Sequence, residues 1–416
     1  MRPDHSSVPA SHAPSPPRRP GLKKIVVVGH PLAAEENRLA FRDWKRHQVD
    51  LILPRLWRAR SLGHDYVAPS GTNIDLAADL AAARTTEPAA ELSLHPLDIH
   101  LSGRNSLFLW RGLGPLLQRL KPDVIYCWEE PWCLATWQVV RQARSLGVPV
   151  VFYTAENRPK RLPWPFRLML RTSFRYCAAC VAPTEEIAAR LKAWGYRGRV
   201  FTIPLWIRPR RALRADVAVR CLAYVGRLIP LKRVDLLVES LALLPGFRLR
   251  IIGDGPERRR LADRVGELGM QARVEFRGHL DNAMLEDGLE GASLLVLPTA
   301  ENARQAEQFG KAAVEGVSCG LPVLASRTGN LASLAGIFPT LSAVELDSPE
   351  RLAEAVSGIF RAFPEEAELA ESRRLALAAF GPAAAAGRLE SAFASLSGAE
   401  VSVSASGAPQ TMESHP

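Results

Sequence analysis

Short apolar runs of about five residues alternate along this chain with longer stretches in which apolar side chains recur every three to four positions. A run with no polar interruption fits a strand covered on both faces, and the longer spacing fits an amphipathic helix, so the pattern predicts parallel sheets packed between helices. The first series comprises Lys24–Gly29, Val49–Leu53, Asp123–Cys127, Val148–Tyr153 and Ala178–Ala182. The second comprises Cys221–Val225, Arg248–Ile252, Arg273–Phe276, Ser293–Leu297 and Pro322–Ala325, with an amphipathic helix at Val234–Leu244. Between them, Trp206–Val217 has little periodicity, four arginines and a proline, and reads as a linker. A last helical pattern begins at Pro382, a residue tolerated in a first helical turn.

The expected fold class is therefore α/β, with two successive doubly wound domains facing each other across a cleft. The domains are placed at 22–205 and 218–381, the linker at 206–217, and a helix that packs back on the first domain at 382–397. Residues 1–21, rich in Pro and Ser, and 398–416, small and polar, read as disordered arms. A length of 416 residues suits two domains of this size.

No apolar run reaches the roughly 20 residues that span a bilayer, and the first residues lack the apolar core of a secretory signal, so the cytoplasm is the expected compartment. Six cysteines in so long a chain do not suggest a disulfide framework. Cys177 and Cys180 form a C-x-x-C without a second pair at zinc spacing, and read as small core residues. The net charge of +10 is concentrated: residues 101–215 hold 20 Lys/Arg against 6 Asp/Glu. That middle suits an anionic partner. No zinc-finger or RNP-type motif accompanies it, and nucleic acid is not expected as a partner.

Two segments carry candidate chemistry. Gly226-Arg227-Leu228-Ile229-Pro230-Leu231-Lys232 follows a strand and opens a helix, placing two cations near a strand end and a helix N-terminus, a setting suited to a diphosphate. Glu307-Gln308-Phe309-Gly310-Lys311-Ala312-Ala313-Val314-Glu315 sets two carboxylates eight positions apart, Glu307 in a loop and Glu315 early in the following helix. If wholly helical, they would stand about 12 Å apart. The amide N–H groups of Phe309, Gly310 and Lys311 would face an anion between them.

The second segment, followed by Cys319-Gly320-Leu321-Pro322-Val323, resembles the E-x7-E signature of family 4 retaining glycosyltransferases. Gly226–Lys232, Ile251-Ile252-Gly253-Asp254-Gly255-Pro256 and Phe276-Arg277-Gly278-His279 match the same family in the same order, over about residues 220–330. The resemblance implies a GT-B fold, with two Rossmann-like domains, and a nucleotide-diphosphate sugar donor. It implies that Glu315 binds the ribose and Glu307 the donor sugar. Arg227 and Lys232 would neutralise the diphosphate, the backbone at Phe309 and Gly310 would approach sugar and phosphate, and His279 and Leu280 would line the base. Gly226, Gly253, Asp254 and Lys311 complete the expected donor site. No cofactor and no metal are expected, because fixed cations and a helix dipole serve the leaving diphosphate.

The chain departs from the family in three places. Thr328-Gly329-Asn330-Leu331-Ala332 stands where a Gly-Gly and a Pro-Glu are common. His30-Pro31 and Glu35-Glu36-Asn37-Arg38 stand in place of a Gly-Gly loop after the first strand. Thr154-Ala155-Glu156-Asn157 stands where a histidine often follows the strand at Val150–Tyr153. Glu156 and Asn157 are accordingly expected near the reacting sugar, with His30 and Glu129–Glu130 as weaker candidates.

On the acceptor side, Arg167, Arg171 and Arg175 form a basic helical stripe within Lys160–Tyr176, flanked by Trp164 and Phe166. Such a helix suits weak contact with an anionic membrane surface, at the inner face of the plasma membrane. The favoured reaction is glycosyl transfer with retention to a hydroxyl acceptor, lipid-linked or glycan, in polysaccharide or glycolipid assembly. A nucleotide-sugar epimerase of the same fold and a non-catalytic nucleotide-sugar-binding protein are the competing readings.

Overall fold

In a computed structural model, residues 22–42, 44–59, 64–67, 92–158, 160–302 and 306–396 are described. The two terminal arms fall outside them. The first domain is built on a seven-stranded parallel sheet. Its spatial order is Arg199–Thr202, Cys177–Ala182, Val150–Tyr153, Val124–Cys127, Lys23–Val28, His47–Pro54 and Ser93–Leu97. The second has six parallel strands in the order Val274–Gly278, Arg248–Ile252, Cys221–Val225, Leu294–Leu297, Val323–Ser326 and Leu341–Val344. In each sheet the first strand lies in the interior and the connections run outward from it in both directions, so both are doubly wound.

The central strands form where the sequence is apolar without interruption. Ile25, Val26, Val27 and Val28 are all fully buried, as are Leu294, Leu295 and Val296. Three strands of the two large sheets were not apparent from the sequence: Ser93–Leu97, Arg199–Thr202 and Leu341–Val344. All are sheet edges, where one side is uncovered and the apolar pattern is diluted. Cys177 and Cys180 are buried and unbridged within their strand, and burial pushes both thiols well above their usual range.

The connecting segment is more ordered than the linker reading implies. It has no regular secondary structure, but Trp206, Ile207, Arg210 and Leu213 are buried. Trp206 is part of the first domain's core, against Trp128 and Phe41, whereas Ile207 and Leu213 belong to the second core. Arg210, in the same stretch, has a fully buried side chain. The chain crosses back at its end. Helix Glu366–Phe380 lies on the second domain, and helix Pro382–Ala394 sets Ala385, Ala386, Leu389 and Phe393 into the first core.

Candidate active site

The carboxyl ends of the two sheets face one cleft. In the second domain the strands Cys221–Val225 and Leu294–Leu297 are neighbours whose connections diverge, which opens a crevice beyond their ends. Gly226 and Gly253 follow adjacent strands there, and their backbones touch. A Cβ on Gly253 would stand 1.8 Å from the Gly226 carbonyl oxygen, and its φ of 144° is one that side-chain-bearing residues rarely adopt.

That close approach shapes a cavity of about 790 Å³. Gly226, Arg227, Gly253, Asp254, His279, Leu280 and Glu315 all line it. Glu35 and Glu36 from the first domain and Arg208 from the connecting segment complete the wall. Arg227 is exposed and makes no ion pair among the described residues, so its charge is available to an anion. Glu315 is 5% exposed, and its carboxylate is held from three sides. Arg210 donates from 3.2 Å, the Asn282 amide from 2.9 Å, and the Lys311 ammonium lies at 3.9 Å.

A second cavity of about 650 Å³ shares Val225, Gly226 and Arg227 with the first. Lys232, Glu307, Gly310 and Lys311 line it from the second domain, and Glu156, Asn157 and Lys160 from the first. Helix Lys311–Ser318 starts at Gly310, whose φ of 81° lies in the left-handed region, and no side chain of its cap residue closes its first turn. Glu307 does so instead. One carboxylate oxygen accepts the Gly310 N–H at 3.0 Å and the other lies 2.5 Å from Lys232 Nζ. The Gly310 amide expected to face a phosphate is thus taken by a carboxylate. The helix dipole favours an anion at this position. Phe309 lines neither cavity; its ring is 3% exposed and packs on Phe380, leaving only its backbone near the site.

The segment that departs from the family pattern is built against Glu307. Asn330 donates its backbone N–H to the Glu307 carbonyl at 3.2 Å, and a Cβ on Gly329 would stand 2.3 Å from that oxygen. On the opposite wall, Asn157 donates its amide to the same carbonyl at 3.4 Å, and Arg158 pairs with Glu301 at 3.0 Å. Glu156 is 7% exposed, paired with Lys160, and accepts the Arg158 N–H. Glu130 braces this loop through the Thr154 hydroxyl and the Ala155 N–H, and burial pushes its carboxyl up to about 7. His30 and Glu129 form a pair on the same rim.

Sequence reasoning missed Arg210, Asn282 and the wall formed by Arg208. Nothing local sets Arg208 or Arg210 apart from the other two arginines of that segment, which also carries Asp216. Among the described residues, no three His, Cys, Asp or Glu side chains gather as metal ligands, and no helix is long and apolar enough to cross a membrane.

Two α/β domains with their strand ends across a cleft define the GT-B class of glycosyltransferase folds. The architecture is similar to sucrose-phosphate synthase of Thermosynechococcus elongatus, with a TM-score of 0.61 and 18% identity, over 90% of this chain and 99% of that one. HepE of Anabaena, determined with UDP and glucose, gives 0.60 and 16%, over 90% of this chain and all of that one. Identities so low speak for the fold alone.

The family described as Glycosyltransferase Family 4 matches residues 45–211, and Glycosyl transferases group 1 matches residues 209–374. Between them the two matches span residues 45–374, and the chain belongs to the family 4 glycosyltransferases. Over 131 residues it is 39% identical to a D-inositol 3-phosphate glycosyltransferase of Mycobacterium tuberculosis, a match that takes in 29% of this chain and spans 25% of the length of that relative.

Proposed function

We propose that this enzyme moves a glycosyl group from a nucleoside-diphosphate sugar to a hydroxyl acceptor with retention of anomeric configuration. The observation that carries the reading is the pair of adjoining cavities, which share the strand end at Gly226–Arg227. One contains a buried, fixed carboxylate and the other a carboxylate at a helix start. Glu315 accepts the ribose hydroxyls, with Gly253, Asp254, His279 and Leu280 around the nucleoside. Arg227 and Lys232 hold the diphosphate, with the amides of Gly310 and Lys311. Glu307, released from Lys232, turns to the sugar hydroxyls, and Glu156 and Asn157 close over the sugar from the other domain. Negative charge that builds on the leaving diphosphate meets two fixed cations and a helix dipole, so no metal is required. HepE, of the same fold, was determined with UDP and with UDP-glucose, which makes the uridine nucleotides the first donors to test.

The acceptor is lipid-linked or glycan, and the setting is polysaccharide or glycolipid assembly at the cytoplasmic face of the plasma membrane. Helix Trp164–Tyr176 supports this. Trp164 is 72% and Leu168 52% exposed, beside exposed Arg167, Arg171 and Arg175, a combination suited to an anionic bilayer surface.

A thermal-shift panel of UDP-, GDP-, ADP- and dTDP-sugars tests the donor. The preferred one raises the melting temperature by mass action, and EDTA leaves the shift unchanged. NMR of the product then reads the anomeric configuration. A panel without any shift, or an inverted product, overturns the reading.

A further inference from the structure

The reaction above leaves one pair of residues in the first domain unused. Strands Lys23–Val28 and Val124–Cys127 are neighbours whose connections leave in opposite directions, toward His47–Pro54 and toward Val150–Tyr153. Ligands of doubly wound sheets lodge just beyond such a point. Gly29 lets the two strand ends approach, since a Cβ there would stand 2.8 Å from the Trp128 carbonyl oxygen. The next residue on each side, His30 and Glu129, then meet.

Glu129 is committed wholly to His30. One oxygen accepts the His30 backbone N–H at 2.6 Å, and both oxygens lie 2.8 Å from Nδ1. The carboxylate side chain is 2% exposed. The imidazole lies on Trp57, ring centroids 4.2 Å apart, and edge-on to Phe108 at 5.7 Å. Its side chain remains 20% exposed, and among the described residues Nε2 has no partner. A carboxylate at Nδ1 keeps the proton there and leaves the Nε2 lone pair outward, as an acceptor. Burying a carboxylate is expensive, and nothing in the packing of Trp57 and Phe108 requires one. What the arrangement secures is the direction of one ring nitrogen.

His30 lines neither cavity, but the strand edge it follows borders both. The segment that continues from His30 supplies Glu35 and Glu36 to one cavity. The loop after Val150–Tyr153, two strands away along the same edge, supplies Glu156 and Asn157 to the other. At about 4.8 Å per strand that separation is roughly 10 Å.

We propose that His30 Nε2 is the docking point for the acceptor hydroxyl. The hydroxyl donates its hydrogen bond to Nε2, and Glu129 is the positioning residue that fixes the ring. This rests on the transferase reading above.

The test uses the full chain, the nucleotide sugar selected by thermal shift, and water or the n-octyl glucosides and galactosides as hydroxyl probes. His30→Phe keeps an aromatic ring on Trp57 but removes both nitrogens. Its donor affinity is expected to stay within about twofold of the parent, while transfer falls at least about tenfold, with KM for the octyl glycoside rising. His30→Gln, whose amide oxygen can accept the bond, recovers part of the loss, and Glu129→Gln lowers transfer without changing donor affinity. Parental transfer by His30→Phe overturns the proposal. So does a parallel loss of melting temperature, donor affinity and transfer in both His30 variants, the mark of a purely structural role. Failure of the parent to bind any nucleotide sugar would instead defeat the transferase reading itself.

Discussion

Arg210 donates to Glu315 from 3.2 Å, although the two residues are 105 positions apart and Arg210 lies in the segment that joins the domains. The same guanidinium reaches the Asn282 carbonyl and side-chain oxygens at 2.9 Å each and lies 3.4 Å from Glu286. Its own carbonyl accepts from Arg373. A buried carboxylate held this firmly presents one geometry to a ligand.

Arg210→Ala leaves Glu315 buried with a weaker set of partners. Breaking one side of a buried ion pair costs about 3–5 kcal/mol, read by urea denaturation. Nucleoside-diphosphate affinity, measured calorimetrically, falls with it, and Arg210→Lys restores charge but not the fork of hydrogen bonds to Asn282.

The pair of Lys232 with Glu307 predicts effects of opposite sign. Glu307→Gln frees Lys232, so a nucleoside diphosphate without sugar binds more tightly, by up to about 1 kcal/mol for a partly exposed pair. Turnover of the nucleotide sugar falls in the same variant. Lys232→Ala weakens the nucleoside diphosphate and turnover together. Calorimetry beside initial rates separates the two patterns.

Glu130 predicts a pH dependence. Burial, opposed by the Thr154 and Ala155 hydrogen bonds, raises its carboxyl from the usual 4.5 to about 7. Between these values the folded chain binds more protons than the unfolded one. Its contribution is therefore fully present below about pH 4.5 and is lost as pH rises through 7. Because the residue retains some solvent contact, the effect is discounted to about 1–2 kcal/mol. Glu130→Gln should gain that much relative to the parent at pH 8 compared with pH 5, in paired denaturation curves.

The helix Trp164–Tyr176 should bring the enzyme to vesicles containing phosphatidylglycerol at low salt. Trp164→Ser with Leu168→Ser, or Arg167→Glu with Arg171→Glu, should reduce co-sedimentation by about tenfold or more. Neither pair should alter donor binding. Equal sedimentation of parent and variants would remove this face from membrane contact.

What could be read in the sequence follows from how each part is held together. Strands covered on both faces, such as Lys23–Val28 and Leu294–Leu297, announce themselves as unbroken apolar runs. Edge strands such as Arg199–Thr202 depend on a neighbour's backbone and carry little pattern of their own. In the candidate site, Gly226, Arg227, Lys232, Glu307 and Glu315 could be singled out because short local segments set their positions. Arg210 and Asn282 could not, because what places them beside Glu315 is the packing of distant segments. Phe309 shows the reverse limit: the sequence motif marks the residue, but its ring serves the core.

The two passages of the chain between the lobes lie side by side. Trp206 ends in one core and Ile207 begins the other, and the Ile207 N–H donates to the carbonyl of Phe380 at 2.9 Å, just before the return into the first core. Any swing of one lobe must therefore pivot about this single line, a restraint on direction rather than on extent. Away from that line, Asn157 and Arg158 touch Glu307 and Glu301 across the cleft. Parting the lobes then separates Asn157 from Glu307, Arg158 from Glu301 and Lys311 from Glu36.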